Sequence, residues 1–148
     1  MSLFSGRPLL VLLVGLAACG PDPEFRPDQR LQDELGLSSR DEVHRISISG
    51  GERETAEPRE VTVPQDAYVE FVTMDSWVHE VRFELDSLDG PARDFLERTD
   101  QRDSPPMVNA DSRFVVSMRG APAGRYPFRV EGNGAPVIGA VVVASEGG

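Results

Sequence analysis

The sequence has 148 residues and a formal net charge of −10, and all fifteen of its basic residues are arginine. This length allows one globular domain of ordinary size, while the acidic balance argues against a nucleic-acid partner, since that binding depends on basic side chains at the phosphates. The single cysteine, Cys19, excludes an intramolecular disulfide and a zinc site built on cysteine pairs.

The first nineteen residues have the pattern of an export signal. Arg7 precedes a short apolar run, Leu9–Leu16, which leads into Ala17-Ala18-Cys19. About eight apolar residues are too few for a membrane span, which needs ~20. The end of the run resembles a bacterial lipobox, and this resemblance implies cleavage before Cys19 and acyl chains on that cysteine. An ordinary secretory signal with a coincidental cysteine is the alternative.

An acylated Cys19 would anchor the protein to a membrane without spanning it, since each buried methylene contributes ~0.8 kcal/mol. Gly20 occupies the position where an aspartate favours retention in the inner membrane. The pattern therefore favours a periplasm-facing location in the cell envelope, on the outer membrane. The expected partners are the membrane, through the lipid anchor, and an unknown envelope protein.

Four segments are predicted along the chain: a signal peptide at 1–18, a lipidated N-terminus and tether at 19–42, a folded domain at 43–144 and a tail at 145–148. Gly20–Asp28 contains three prolines among polar residues, a composition that keeps a chain extended. Asp28 is placed to cap a short helix that ends at Leu35 before Gly36, and the alternative is more linker.

From Val43 onward, apolar residues recur at every second position, which is typical of strands with one face on a core and the other in water. Turn residues such as Gly50-Gly51 separate the runs. Six to eight such strands predict an all-β fold, an antiparallel or mixed β-sandwich. Asp89–Arg98 interrupts the pattern, and Pro91 near its start predicts a short helix or a long crossover loop. The apolar members of the runs are Ile46, Ile48, Val61, Val63, Val69, Phe71, Val81, Phe83, Leu85, Phe114, Val116, Met118, Tyr126, Phe128, Val130 and Val141–Val143.

Four local patterns follow one another along these runs. They are a strand, proline turn and strand at Glu60–Phe71, the segment Trp77–Phe83, the stretch Ser104–Val108 with Arg113–Val116, and the segment Gly124–Gly139. Their order and spacing resemble the cupredoxin family, the small β-sandwiches of plastocyanin, amicyanin and related blue-copper proteins. The resemblance covers roughly 43–143 and implies a Greek-key β-sandwich of about seven or eight strands with a short helix or long loop inserted.

The resemblance places the first copper-ligating histidine of the family on His79. The thiolate position falls on Val130, the second histidine on Asn133 and the axial methionine on Val137. Type 1 copper needs two imidazoles and a thiolate, so the resemblance implies a degenerate copper site. We therefore expect no cofactor. The alternative is copper bound through His79, in an electron-transfer protein of the blue-copper type or in a copper chaperone.

A metal site of another kind around His79 is a further alternative. Its other ligands would be His44, Met74 or Asp75, because copper(I) accepts thioether and imidazole groups and zinc accepts imidazole and carboxylate groups. Nothing in the spacing of the sequence brings His44 close to His79.

The sequence contains no Gly-x-Ser-x-Gly elbow and no His-Glu-x-x-His motif, so we predict that the protein is not an enzyme. If the C-terminal loop lies beside the His79 segment, as the resemblance implies, then Trp77, His79, Asn133 and Pro136 share one end of the sandwich. Loops at such an end often carry recognition. The predicted function is a non-catalytic binding module in the cell envelope.

Overall fold

The computed structural model describes residues 20–146, so the predicted signal peptide and Cys19 lie outside the described residues. Within that range the chain forms eight strands in two four-stranded sheets, with the order β2-β1-β4-β6 in one and β3-β8-β7-β5 in the other. The strands are β1 (Val43–Ser49), β2 (Thr55–Glu57), β3 (Glu60–Val63), β4 (Tyr68–Thr73), β5 (Glu80–Phe83), β6 (Arg113–Ser117), β7 (Gly124–Glu131) and β8 (Val137–Val143).

The sandwich is of the mixed kind, which is one of the two predicted forms. β1 runs parallel to β4 in the first sheet, and β3 runs parallel to β8 in the second. The remaining neighbours are antiparallel, including the long hairpin of β7 and β8. This arrangement confirms the predicted all-β sandwich. Strand β2 is an addition, because its three residues are too few to show an alternating pattern.

The inward-facing residues of both sheets form one apolar core. Phe71 lies at its centre and is fully buried. Its ring meets that of Phe128 edge to face, with centroids 5.0 Å apart, and that of Phe114 at 6.0 Å. Edge-to-face pairs of this kind add about 0.5–1.5 kcal/mol beyond the area that they bury, so the aromatic residues of the alternating runs join the two sheets.

The outer face of the first sheet is not in water, contrary to the prediction from alternation. Helix α1 (Gln29–Leu35) lies across it, with Asp28 as the predicted cap accepting a hydrogen bond from the Leu31 N–H at 2.9 Å. Leu31 and Leu37 pack there against Val43, Tyr68 and Val115. The chain from Pro23 onward, predicted as a tether, is therefore folded against the domain.

This covering segment buries a carboxylate that the alternating pattern assigns to solvent. The Glu70 side chain is fully buried, and it accepts a hydrogen bond from Arg45 Nε at 2.9 Å. Arg113 Nη1 lies 2.9 Å from its other oxygen and 2.7 Å from Asp28 Oδ2. Burial alone would raise the pKa of Asp28, but the Leu31 N–H, Arg113 and Arg45 outweigh it and hold that pKa below its ordinary value of 3.8.

The interruption predicted at Asp89–Arg98 is a helix. Helix α2 (Gly90–Arg98) begins after Asp89, whose carboxylate accepts from the Ala92 N–H at 2.9 Å, and it carries Pro91 in its first turn. Phe95 and Leu96 are buried in the core. No helix of residues 20–146 is both long and apolar enough to cross a membrane.

We predict that Leu31→Ala lowers the free energy of unfolding by about 2–3 kcal/mol, because the leucine is only 2 % exposed and its loss leaves a cavity under α1. Leu35, one turn further along the same helix, is 50 % exposed. Leu35→Ala is the matched control and should change stability by less than about 0.5 kcal/mol. Urea denaturation of the unacylated chain measures both; equal effects would contradict the packing of α1 described here.

Candidate functional site

Four loops meet at one end of the sandwich, which we call the site end. They are residues 50–54 after β1, 74–79 between β4 and β5, 105–112 before β6, and 132–136 in the β7–β8 hairpin. The register of the strands brings them together, because β1 and β4 run parallel and finish at the same end, where β5 begins. The predicted site residues Trp77, His79, Asn133 and Pro136 all lie in these loops.

The ring of His79 lies at the centre of the site end, fully buried. Its Nδ1 atom is 2.7 Å from Glu54 Oε2, and its Nε2 atom is 2.7 Å from Asp75 Oδ1. The Glu54 side chain is also fully buried, whereas that of Asp75 is 28 % exposed. Both ring nitrogens of the predicted copper ligand are thus occupied by carboxylates, and we call these three residues the histidine cluster.

The two short contacts need two hydrogens between them. A neutral imidazole has one N–H, so the second hydrogen is carried either by the ring or by a carboxylic acid. In both cases the three side chains together carry one net negative charge. Burial is costly for such groups unless each is paired, and here every polar atom of the ring faces an oxygen.

Asp75 is also held by the backbone around it. Its Oδ2 accepts from the Gly50 N–H at 2.7 Å, and its Oδ1 accepts from the Trp77 N–H at 3.0 Å. Burial alone would raise the pKa of Asp75, but these N–H groups and His79 outweigh it, so the pKa lies below the ordinary value of 3.8. The carboxylate therefore joins the loop after β1 to the loop that contains Trp77.

Glu54 makes the corresponding connection to the β7–β8 hairpin. Its Oε1 accepts from the Gly134 N–H at 3.1 Å, and its own N–H donates to the Ala135 carbonyl at 2.8 Å. A Cβ atom on Gly132 would lie only 2.4 Å from Glu54 Oε1. Only glycine at this position lets the hairpin approach the buried carboxylate so closely.

The other predicted ligand positions offer little to a metal. Val130 is buried in the core and Val137 is buried at the start of β8, and neither has a donor atom. Asn133 is exposed in the hairpin loop. His44 lies near the start of β1, where it contacts Glu42 Oε1 at 2.6 Å and stacks on Phe25. In the described residues, no group of three or more His, Cys, Asp or Glu side chains is arranged to hold a metal ion.

The surface of the site end carries exposed apolar side chains. Trp77 is 50 % exposed, and Asn133 and Pro136 are exposed as well, whereas His79 is fully buried and offers no surface to a partner. Further exposed apolar side chains lie in the same loops. The patch that we call the apolar end patch consists of Met74, Trp77, Val78 and Val108.

Hydrogen bonds hold the two loops of the apolar end patch together. The Thr73 hydroxyl donates to the Asn109 carbonyl at 2.6 Å, and His79 and Met107 exchange backbone hydrogen bonds of 3.0 and 2.9 Å. A groove beside the patch contains Val78 and Asn133, so the hairpin borders it directly. The patch is therefore carried by segments that are fixed to each other.

The loops of the site end carry several carboxylates, and most of them are paired within the domain. Glu54 and Asp75 belong to the histidine cluster. Asp111 Oδ2 lies 3.1 Å from Arg30 Nη1, and Glu131, the last residue of β7, lies 3.6 Å from Arg82. The site end therefore does not carry an uncompensated acidic rim.

Sequence reasoning did not identify Glu54 as a partner of His79, nor Met74, Val78 and Val108 as surface residues next to Trp77. Glu54 lies in a polar stretch between β1 and β2 that has no motif, 25 residues from His79. The only sequence feature that could have pointed to a buried carboxylate here is the glycine content of the β7–β8 hairpin. An ordinary turn accounts for these glycines equally well.

A scan against protein-family models finds no match, and a search of curated proteins finds none at a significant level. Solved structures do match. A mutant fern plastocyanin has a TM-score of 0.50 and 16 % identity over 68 % of this chain and 99 % of its own. A Cu(I) form of an amicyanin variant has a TM-score of 0.48 and 18 % identity over 69 % and 82 % of the two chains. A Cu-containing nitrite reductase from Thermus scotoductus has a TM-score of 0.48 and 16 % identity, over 74 % of this chain and 24 % of its own.

These comparisons correct the expectation that the protein has no cofactor. The matched plastocyanin was solved in oxidized and reduced forms, which fits the stated copper alternative rather than none. The ligand set of a type 1 site is nevertheless not formed by the described residues, since Val130 and Val137 lack donor atoms and both nitrogens of His79 face carboxylates.

The nitrite reductase shows that the matched structures include an enzyme as well as small cupredoxins. At 16–18 % identity the likeness concerns the fold alone. The two mixed sheets, the order of the four local patterns and the match to plastocyanin together show that this chain contains a cupredoxin-like β-sandwich domain.

Proposed function

We propose that this protein is a lipid-anchored protein of the cell envelope whose cupredoxin-like domain binds a partner protein through the apolar end patch, without catalysing a reaction. The observation that carries the proposal is that exposed Met74, Trp77, Val78 and Val108 share the site end. Exposed apolar side chains grouped in this way mark interaction surfaces.

Rigidity of the loops supports the same function. The histidine cluster connects the loops after β1 and β4 and the β7–β8 hairpin, and the His79–Met107 pair adds the loop that contains Val108. A surface that is ordered before binding loses less conformational entropy on association. The partner that fits is a protein with an apolar contact area of its own.

The anchor is supported by the lipobox-like sequence that ends at Cys19. Two or more acyl chains give stable membrane attachment, whereas one chain alone is marginal. The expected location is the periplasmic face of the outer membrane.

Site-specific photocrosslinking in cells tests both parts of the proposal. When p-benzoylphenylalanine replaces Trp77 or Val108, ultraviolet light should give a discrete adduct in the membrane fraction. The same replacement at Leu35, which is 50 % exposed on α1 and outside the four loops of the site end, is the matched control and should give none. Cys19→Ser should remove the protein from the membrane fraction.

Two results would oppose the proposal. Adducts that form equally from positions 35, 77 and 108 would mean that the apolar end patch is not a specific surface. Unchanged processing and membrane association of Cys19→Ser would remove the lipid anchor and leave a protein with an ordinary secretory signal.

The ordering role of the histidine cluster has its own prediction. Glu54→Gln replaces the carboxyl group of a fully buried partner of His79 by an amide, which cannot keep both the contact with the ring and the hydrogen bond from the Gly134 N–H unchanged, and it should lower the free energy of unfolding by about 3 kcal/mol. Glu52→Gln, two residues earlier in the same loop but exposed, should change it by less than about 0.5 kcal/mol. Chemical denaturation measures the free energy of unfolding of both variants. Similar changes in the two would show that Glu54 does not stabilise the site end.

Copper binding is the second candidate function, since a matched structure is a plastocyanin solved in oxidized and reduced forms. We expect copper added to the chain from Cys19 onward, made without acylation, to give no intense visible absorption. The thiol of Cys19 is the sole thiol of the sequence, and Phe25 is held beside His44, near the far end of β1 from His79. An intense blue band would contradict this expectation, and stoichiometric binding lost in His79→Ala would favour the second candidate.

A further inference from the structure

The segment between the predicted lipid anchor and β1 is fixed to the domain along its length. We call residues 21–42 the N-terminal strap. Its first part is a closed turn, because the Phe25 N–H donates to the Asp22 carbonyl at 2.9 Å and Arg26 Nε donates to the Pro21 carbonyl at 3.3 Å. Pro21 therefore stays beside Phe25, and Cys19 is only two residues away, at most roughly 7 Å of extended chain.

The place where this turn contacts the domain is well defined. The ring of Phe25 stacks on that of His44, with centroids 4.3 Å apart and an angle of 22° between the planes. His44 is the second residue of β1. The first residues of that strand lie at an edge of the sheet, since β2 pairs only with residues 47–49. The anchor thus leaves the domain beside the first residues of β1.

The rest of the strap prevents the turn from moving along the sheet. Asp28 pairs with Arg113 at 2.7 Å, and Arg30 Nη1 is 3.1 Å from Asp111 Oδ2. Leu31 and Leu37 are buried against the outer face of the sheet. Apolar burial, together with ion pairs to Arg113 at the start of β6 and to Asp111 just before it, therefore holds one docked position.

The site end lies at the other end of the same strand. Gly50 follows β1 directly, and its N–H binds Asp75 of the histidine cluster. From His44 to Gly50 the strand advances by six residues, which is about 20 Å. The exit of the anchor and the apolar end patch are thus separated by nearly the full length of the sandwich.

We propose that the N-terminal strap sets the orientation of the domain on the membrane, with the start of β1 next to the lipid and the apolar end patch turned away from it. This inference rests on the proposed lipid anchor. A free tether of this length would let the domain rotate, whereas the docked strap leaves only Gly20 between Cys19 and the fixed chain. The partner of the patch is then a water-soluble protein or the soluble domain of a membrane protein, and not a surface within the bilayer.

Energy transfer from tryptophan to a dansyl-labelled phospholipid tests the orientation, because Trp77 is the only tryptophan of the chain and lies in the patch. The acylated full chain, purified from bacterial membranes, is reconstituted into phospholipid vesicles that contain the dansyl lipid. A second variant combines Trp77→Phe with Ser39→Trp, which moves the donor to the exposed turn just before β1. Transfer from position 39 should be at least about twofold more efficient than transfer from Trp77.

Releasing the strap provides the internal control. Phe25→Ala with Asp28→Ala removes the stacking contact and the ion pair with Arg113, so the difference between the two donor positions should shrink. Equal transfer from both positions with the strap intact, or stronger transfer from Trp77, would overturn the orientation.

Flotation of the vesicles distinguishes an error in the lipid anchor from an error in the orientation. If the purified full chain does not float with them, or if Cys19→Ser floats equally well, the lipid anchor itself is wrong and the orientation falls with it. If the full chain floats through Cys19 but both donors transfer equally, the anchor stands and only the orientation is wrong.

Discussion

The ring of His79, fully buried between Glu54 and Asp75, is the constraint on which the site end depends. Burying ionisable groups is unfavourable unless each one is paired, so the loops that supply the two carboxylates must stay where they are. Through the N–H groups of Gly50 and Gly134 the same carboxylates position the loop after β1 and the β7–β8 hairpin. The surface above the ring is consequently ordered without any partner.

A second constraint acts on the outer face of the β2-β1-β4-β6 sheet. Glu70 points out of the sandwich, yet it is fully buried because α1 lies over it and Arg45 and Arg113 neutralise it. The strap that brings α1 there is the segment that follows the predicted lipid anchor. If Cys19 is acylated as proposed, packing on one face of the sheet connects the attachment to the membrane with the direction in which the opposite end of the domain points.

In this chain the fold does not determine which residues stand at the ligand positions that the resemblance predicts. A sandwich of this topology places several loops at one end whatever their sequence, and unrelated sites are built on such loops in different proteins. Here the resemblance places a copper-ligating histidine on His79, but its imidazole binds two carboxylates, and valines occupy two of the other positions that the resemblance assigns to ligands. The fold therefore groups these loops at one end and does not determine what is bound there.

The local elements were predictable because their signals are local. The helix caps of Asp28 and Asp89 and the turn glycines act within a few residues, and the period of two in runs such as Ile46 and Ile48 reports which side of a strand meets the core. The pairing of Glu54 with His79 has no such signal, since it joins residues 25 positions apart through loops without regular structure. The burial of Glu70 was missed for a related reason: a period of two cannot report that a helix covers the second face.

The sequence by itself thus determined the strand pattern, the two capped helices, the position of the single cysteine and the absence of a thiolate from the folded part of the chain. These depend on residue identity and on the fixed geometry of strands and helices. Only the tertiary structure decided that His79 is a buried bridge, that Met74, Trp77, Val78 and Val108 form one surface, and that the presumed tether is a docked strap. Each of these depends on contacts between segments distant in the chain, whose geometry arises when the two sheets pack.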